Sequence, residues 1–166
     1  MDLICADDAL RLKRIEQLYL RAFPKNERKP FGVNGEFLGL AITINYQDKV
    51  LLDYFAMDDA KRGKGYGSAA LAALMERYDG RRMILEIEST TRPREAGNFE
   101  ERLRRKHFYH KNGMTDLGFE AVLFGVTMEM LSNKTQVTFE EYLDLYVKTY
   151  GERMLEFVKP LTQTQS

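Results

Sequence analysis

The segment Arg62-Gly63-Lys64-Gly65-Tyr66-Gly67 interleaves glycines with two cations and ends where a helically spaced run begins. Glycine reaches φ > 0 and lets backbone approach a ligand closely, and the first N–H groups of a helix have no intrahelical acceptor. With Arg62 and Lys64 beside it, such a turn suits an anion, and a pyrophosphate fits these features. The competing reading is a βα turn that is glycine-rich for steric reasons alone. Two familiar phosphate loops do not match. A P-loop needs a lysine directly after its last glycine, whereas Gly67 is followed by Ser68-Ala69. In the dinucleotide pattern G-x-G-x-x-G the third glycine comes one place later than here. Nucleotide hydrolysis and hydride transfer both lose ground.

Glu86 and Glu88 are two apart in an apolar run, so on a strand they share one face while Leu85 and Ile87 share the other. Burial raises a carboxylate's pKa toward the range a general base needs near pH 7. The same pair could instead bind a cation, or close ion pairs with Arg81, Arg82 or Arg92. The basic run Arg102, Arg104, Arg105 and Lys106 could meet a phosphate or RNA, yet such a run on a short helix is ordinarily a solvated face. His107 and His110 are three apart with no third ligand nearby, so no metal site is expected. Cys5 could carry an acyl group, but no base is near it in sequence, and an inert packed thiol is the expectation.

These residues need elements to hold them. Asp8 to Ala22 has apolar residues at helical spacing and stops before Pro24. The segment from Pro24 to Glu36 is polar, with a turn signal at Asn34-Gly35. Phe37 to Ile44 and Val50 to Met57 read as antiparallel strands joined by a turn. The glycine segment follows, then a helix from Ser68 to Asp79-Gly80, then a strand from Met83 to Glu88, which makes a βαβ unit with parallel strands. A charged helix from Phe99 to Lys111 ends at Asn112-Gly113, and strands follow near Met114 to Phe119 and Ala121 to Leu131. Thr138 and Glu141 form a capping box that starts a last helix, expected over 138–160. The fold class is α+β with an α/β core: a mixed, mostly antiparallel central sheet flanked by helices.

Composition sets the bounds. The chain has 166 residues, 44% of them hydrophobic, with 25 basic and 25 acidic groups, which predicts a single domain over 1–166. Zero formal net charge argues against generic attraction to nucleic acid or anionic lipid. One cysteine, no run near the ~18 apolar residues of a membrane span and no basic, apolar leader after Met1 lead to the expectation of a cytoplasmic protein. Met154, Leu155, Phe157, Val158 and Leu161 have no evident element left to cover them, which points to a homodimer.

Arg62-Gly63-Lys64-Gly65-Tyr66-Gly67 resembles the Arg/Gln-x-x-Gly-x-Gly/Ala signature of the GNAT N-acetyltransferases. As in that family, it follows a strand, here Asp53 to Met57, and a short linker. Phe108-Tyr109-His110-Lys111-Asn112-Gly113-Met114 resembles the family's second signature, at the expected separation. The resemblance spans roughly Glu36 to Leu131.

The resemblance implies acetyl-CoA as co-substrate, with its pyrophosphate on Arg62, Gly63, Lys64, Gly65, Gly67 and Ser68. It implies a splayed pair of parallel strands, with Phe55 and Met57 against the pantetheine arm and the Met57 N–H as oxyanion donor. Asn98 would touch the cofactor, although it lies eleven residues before Tyr109, further than is common. Tyr109 would protonate the leaving thiolate, where the residue alone reads as one more packed tyrosine. Glu86 or Glu88 would take the proton of a small-molecule or protein amine that attacks the thioester directly. The family commonly has more chain between its first helix and the hairpin than Pro24 to Glu36 offers, a difference that falls on the acceptor side. The alternative is an acyl-CoA-binding sensor or interaction module without turnover, and a third reading is RNA binding through Arg102 to Lys106.

Overall fold

The computed structural model describes residues 3–4 and 32–33, as backbone alone, and residues 38–91, 98–134 and 136–161. The expected helix from Asp8 to Ala22, the Asn34-Gly35 turn, Cys5 and Arg92 lie outside the described residues. β1 (Leu3–Ile4) pairs antiparallel with β2 (Gly32–Val33), with Leu3 opposite Val33. Two-residue strands are too short to show alternation, so this pair had no sequence signal.

The other strands are β3 (Gly39–Tyr46), β4 (Lys49–Met57), β5 (Arg82–Glu88), β6 (Thr115–Leu123), β7 (Val126–Ser132) and β8 (Val158–Pro160). They form one six-stranded sheet in the order β3-β4-β5-β7-β6-β8, mostly antiparallel with one parallel pair, as the expected fold class requires. Among the described residues the α-helices are α1 (Tyr66–Arg77), α2 (Phe99–Lys111) and α3 (Phe139–Tyr150). None of the helices described is long and apolar enough to cross a membrane.

The chain divides into two compact units, residues 1–43 with 52–79, and residues 44–51 with 80–166. In the first, Leu40 and Ala41 of β3, Leu52 of β4 and Ala70, Leu71 and Leu74 of α1 are buried. The α1 residues recur at helical spacing, which is why this stretch lays one face on apolar neighbours. At Gly39 β3 runs close to the end of β4: a Cβ there would stand 2.3 Å from the Ala56 carbonyl oxygen.

In the second unit the sheet has two distinct faces. Cross-strand register pairs Ile84 with Ser132, Glu86 with Met130 and Ile87 with Glu129. Ile84, Met130 and Ala121 pack with Tyr142, Leu145 and Tyr146 of α3 and with Met154 and Val158 in one core cluster. The opposite face carries Ile87, Glu129, Leu131 and Asp116, since paired residues share a face. Lys106 and His110 of α2 reach Asp116 there.

Two expectations are corrected here. The β6–β7 reversal lies at Phe124-Gly125, not at Glu120, because both turn residues adopt positive φ, 48° and 85°. An irregularity in β6 between Asp116 and Glu120, with Gly118 at φ 78°, obscures the alternation that would have shown the strand continuing. The last helix does not run over 138–160. The capping box of Thr138 and Glu141 starts α3 as predicted, but Gly151 at φ 95° ends it. A short 3-10 turn (Glu152–Glu156) then leads into β8, which pairs antiparallel with β6, Leu123 opposite Val158. Met154 and Val158 are buried within the chain and Phe157 stacks on Phe124, with ring centroids 5.1 Å apart. These three residues therefore do not need a second copy to cover them.

Candidate functional site

In the first unit, β4 ends at Met57, and Asp58 begins the exit from the strand. Its backbone N–H donates to the Leu38 carbonyl at 2.9 Å, while its Oδ1 accepts from the Ala60 N–H at 2.9 Å. A 3-10 turn (Asp59–Lys61) follows, and then the glycines. Gly63 and Gly65 take φ of 74° and 80°, and a Cβ at either would meet nothing within 4 Å. Conformation, not crowding, demands glycine at these two positions.

Gly65 is the N-cap of α1, with no side-chain cap and no acidic residue in the first turn. Glycine cannot supply the oxygen that Ser, Asp or Asn brings to this position. The helix starts at Tyr66, two residues earlier than expected, so Gly67 is helical and not among the positive-φ glycines. Gly67 and Ser68 therefore lie in the first turn, where backbone N–H groups and the positive end of the helix dipole favour an anion. Arg62 and Lys64 are exposed beside it, and Arg62 forms a rim pair with Asp59 at 3.0 Å. Phe55 and Met57 both lie partly buried in the last residues of β4.

The second unit separates the two carboxylates. Glu86 faces α3, where Tyr142 and Tyr146 donate hydrogen bonds to its Oε1 at 2.6 and 2.7 Å. Glu88, at the end of β5, meets the start of α2: Arg102 Nε lies 2.6 Å from its Oε2, and Asn98 Nδ2 donates to the same oxygen at 3.2 Å. The Arg102 contact is an ion pair without hydrogen-bond alignment, since Nε is buried with no hydrogen-bond partner. Asn98 Oδ1 is likewise buried without a hydrogen-bond partner among the described residues. Arg81 and Arg82 serve elsewhere. Arg81 donates to Asn45 Oδ1 and the carbonyls of Gln47 and Lys49, and Arg82 binds Asp48 and Glu141. Among the described residues Glu88 is held by Arg102, from a helix run expected to be a solvated face, and not by Arg81 or Arg82.

Tyr109 is 7% exposed on α2, with its ring edge-on to Phe108. Burial pushes its hydroxyl up to about 12, against a smaller opposing pull from the Arg105 charge. A phenol so placed keeps its proton at neutral pH. Tyr109 and Glu86 do not share a face of the sheet: α2 covers the face of Ile87 and Glu129, whereas Glu86 looks toward α3.

The basic run of α2 is largely engaged within the chain. Lys106 pairs with Glu129 and, at 3.1 Å, with Asp116; Arg102 pairs with Glu88, and Arg105 with Glu101 at 3.6 Å. Burial alone would raise the Glu129 carboxyl, but hydrogen bonds from Lys106 and Thr90 outweigh it and hold the group below its ordinary range. His110 Nε2 lies 3.2 Å from Asp116. Among the described residues, no three His, Cys, Asp or Glu side chains are grouped as metal ligands.

The sequence reading missed Tyr142 and Tyr146, which it treated simply as apolar helix positions. Their signal was present: a tyrosine on a buried helix face brings a hydroxyl that needs a partner. It also missed the anchoring of Ser89, Thr90 and Thr91, whose hydroxyls donate to Glu120 or Glu129.

Several solved structures share the fold. A putative GNAT acetyltransferase from Bacteroides thetaiotaomicron superposes with a TM-score of 0.68 at 21% identity, covering 90% of this chain and 97% of its own. An acetyltransferase from Bacillus subtilis in complex with CoA gives 0.57 at 13% identity over 78% and 95% of the two chains. The ribosomal-protein-S18-alanine N-acetyltransferase of Escherichia coli gives 0.54 at 18% identity over 82% and 95%. No curated protein matches the sequence. The model of the acetyltransferase (GNAT) family matches residues 12–114, more than half of the chain, from before β2 through the end of the Tyr109 signature. By that match, and with the glycine turn and the sheet order that accompany it, this chain belongs to the GNAT family of acetyltransferases.

Proposed function

We propose that this protein transfers the acetyl group of acetyl-CoA to a primary amine by direct attack on the thioester. The observation that carries the reading is the glycine-capped start of α1, with left-handed Gly63 and Gly65, two flanking cations and no acid in the first turn. Family membership supplies the ligand class. The Escherichia coli neighbour is by name an alanine N-acetyltransferase, which supports an amine as acceptor.

In this reading the turn and first helical residues, Arg62, Gly63, Lys64, Gly65, Gly67 and Ser68, hold the pyrophosphate. Phe55 and Met57 line the pantetheine arm, and the Met57 N–H donates to the thioester oxygen as negative charge develops on it. Asn98 adds a polar contact to the cofactor. The amine attacks the carbonyl carbon and displaces the thiolate, which takes a proton from Tyr109, and the proton that the nitrogen loses on forming the amide passes through water to restore the phenol; Glu86, on the opposite face of the sheet, is a candidate base for the ammonium before it attacks. Glu88 is the other candidate base. Its ion pair with Arg102 and its contact with Asn98 engage it in holding the start of α2. No metal has a step in this scheme.

Calorimetric titration with acetyl-CoA tests the first half, with ATP and NAD as controls. One-site binding of acetyl-CoA alone is expected, with loss of binding in Gly65→Pro, because proline cannot adopt φ near +80°. Unchanged affinity in that variant would sink the assignment. Thiol release on adding primary amines tests the second half; binding without release from any amine would point instead to an acyl-CoA sensor.

A further inference from the structure

We infer that the corner of the sheet where the β6–β7 turn meets β8 is a docking surface for a second copy of this chain, with Phe124 at its centre. Phe124 is 60% exposed, and Leu155, two residues before Phe157, is 52% exposed. The Phe124 N–H donates to the Phe157 carbonyl at 3.0 Å, which continues the β6–β8 register by one pair, and the two rings stack with centroids 5.1 Å apart. Phe157 is thereby covered by Phe124, while Phe124 stays open on its outer side. The turn does not ask for a phenylalanine. Both of its residues have positive φ, 48° at Phe124 and 85° at Gly125, a backbone that asparagine or glycine adopts readily and a bulky side chain resists. A ring that strains the turn and stands in water serves neither the hairpin nor the core, so its use lies outside the chain.

Charge selects the occupant. Glu152, Arg153, Glu156 and Lys159, on the stretch that carries Leu155 and Phe157, are all exposed, and none has an ion-pair partner among the described residues. Two acids and two bases suit a copy of the same surface, because a two-fold axis sets the patch against itself and lets each acid face a base of the other copy. A nucleic acid, an anionic membrane or an acidic peptide would need an excess of cations, which this corner lacks. The edge of β8 sets the mode of contact. Phe157 and Leu161 spend their backbone hydrogen bonds on β6, which leaves the backbone groups of Val158 and Pro160 on the open side. Proline has no N–H, so Val158 is the one outward donor of β8 and a further strand cannot add along it. The copies therefore meet through side chains, ring against ring, and not by lengthening the sheet.

Sedimentation velocity over a concentration series tests this on the full chain, beside melts of each variant. Wild type should pass from monomer to dimer in the micromolar range and stop there, since a two-fold contact closes. Phe124→Asn suits the positive-φ turn, so below the association range it should melt no lower than wild type. Its dimer should nevertheless be about a hundredfold weaker, because each copy loses its central ring. Lys159→Glu leaves three acids against one base and should weaken the dimer about tenfold at low salt, with the difference shrinking as salt rises. Should Phe124→Asn fail to fold, Leu155→Ser, at an exposed position, carries the same expectation of a weakened dimer. A wild type that stays monomeric at every concentration overturns the inference and leaves the corner to a protein of different sequence. A Phe124→Asn dimer as tight as wild type, or association that runs on past the dimer, overturns it too.

Discussion

The guanidinium of Arg82, the first residue of β5, grips the carboxylate of Glu141 in the first turn of α3 through two parallel hydrogen bonds, 2.9 and 2.7 Å long. The same guanidinium reaches Asp48 in the β3–β4 turn at 2.7 Å, and the same Glu141 closes the capping box with Thr138. One arginine thus ties a turn, a strand start and a helix start within the second unit.

Arg82→Ala should cost about 1–2 kcal/mol, below the value for a fully buried pair because Glu141 is 34% and Asp48 53% exposed. Arg82→Lys should recover less than half of that, since an ammonium cannot make the paired contact. Urea unfolding of the three proteins at neutral pH measures both.

The same contacts set an acid response. Hydrogen bonds from Arg82 are the main cause holding both Asp48 and Glu141 below the usual carboxylate range. A depressed folded-state value means the stabilisation is fully present above the unfolded carboxylate range, about pH 4, and is lost as pH falls toward the folded values. The stability gap between wild type and Arg82→Ala should therefore be widest at pH 6–7 and shrink steadily below about pH 4. A gap constant down to pH 2 would assign the effect of Arg82 to packing.

Lys106 and Glu129 form a more enclosed pair, their side chains 21% and 6% exposed. Lys106→Met should cost about 3 kcal/mol, because it strands a charge in the interior. The double variant Lys106→Met/Glu129→Met should be more stable than that single variant. Thermal and urea denaturation of the set decide the order.

Two glycines should fail for different reasons. Gly39→Ala puts a Cβ 2.3 Å from a backbone carbonyl oxygen and should cost about 3 kcal/mol through overpacking, with no selective effect on acetyl-CoA binding. Gly65→Ala meets no neighbour and should cost about 1–2 kcal/mol through its left-handed backbone. Its larger effect should be on acetyl-CoA affinity, read by calorimetry beside the melts.

Tyr109→Phe should lower kcat by about a hundredfold and leave acetyl-CoA affinity unchanged if the phenol is the general acid. Because burial pushes Tyr109 up to about 12, its deprotonation should add no falling limb to the wild-type rate profile below about pH 10. A limb at pH 9 that disappears in Tyr109→Phe would contradict the buried setting.

Local chemistry made much of this protein legible from its sequence. Glycine at 63 and 65 announced left-handed backbone before a helix, and Thr138 with Glu141 announced the start of α3, because caps and turns depend on residues within a few positions of one another. Glu86 and Glu88 declared a shared strand face by their spacing. Their partners are another matter: Tyr142 lies 56 residues from Glu86 along the chain, and no periodicity encodes which hydroxyl will reach which carboxylate. The β6 irregularity hid the Phe124-Gly125 turn, and the apolar tail after Gly151 had no visible destination until β6 offered it an edge. Residue types and short spacings determined the family, the glycine turn before α1 and the order of the elements from β3 to α3, but not β1, β2 or β8. Tertiary structure decided which carboxylate lies among tyrosines and which against an arginine, because that depends on how faces of the sheet are covered by helices far away in sequence.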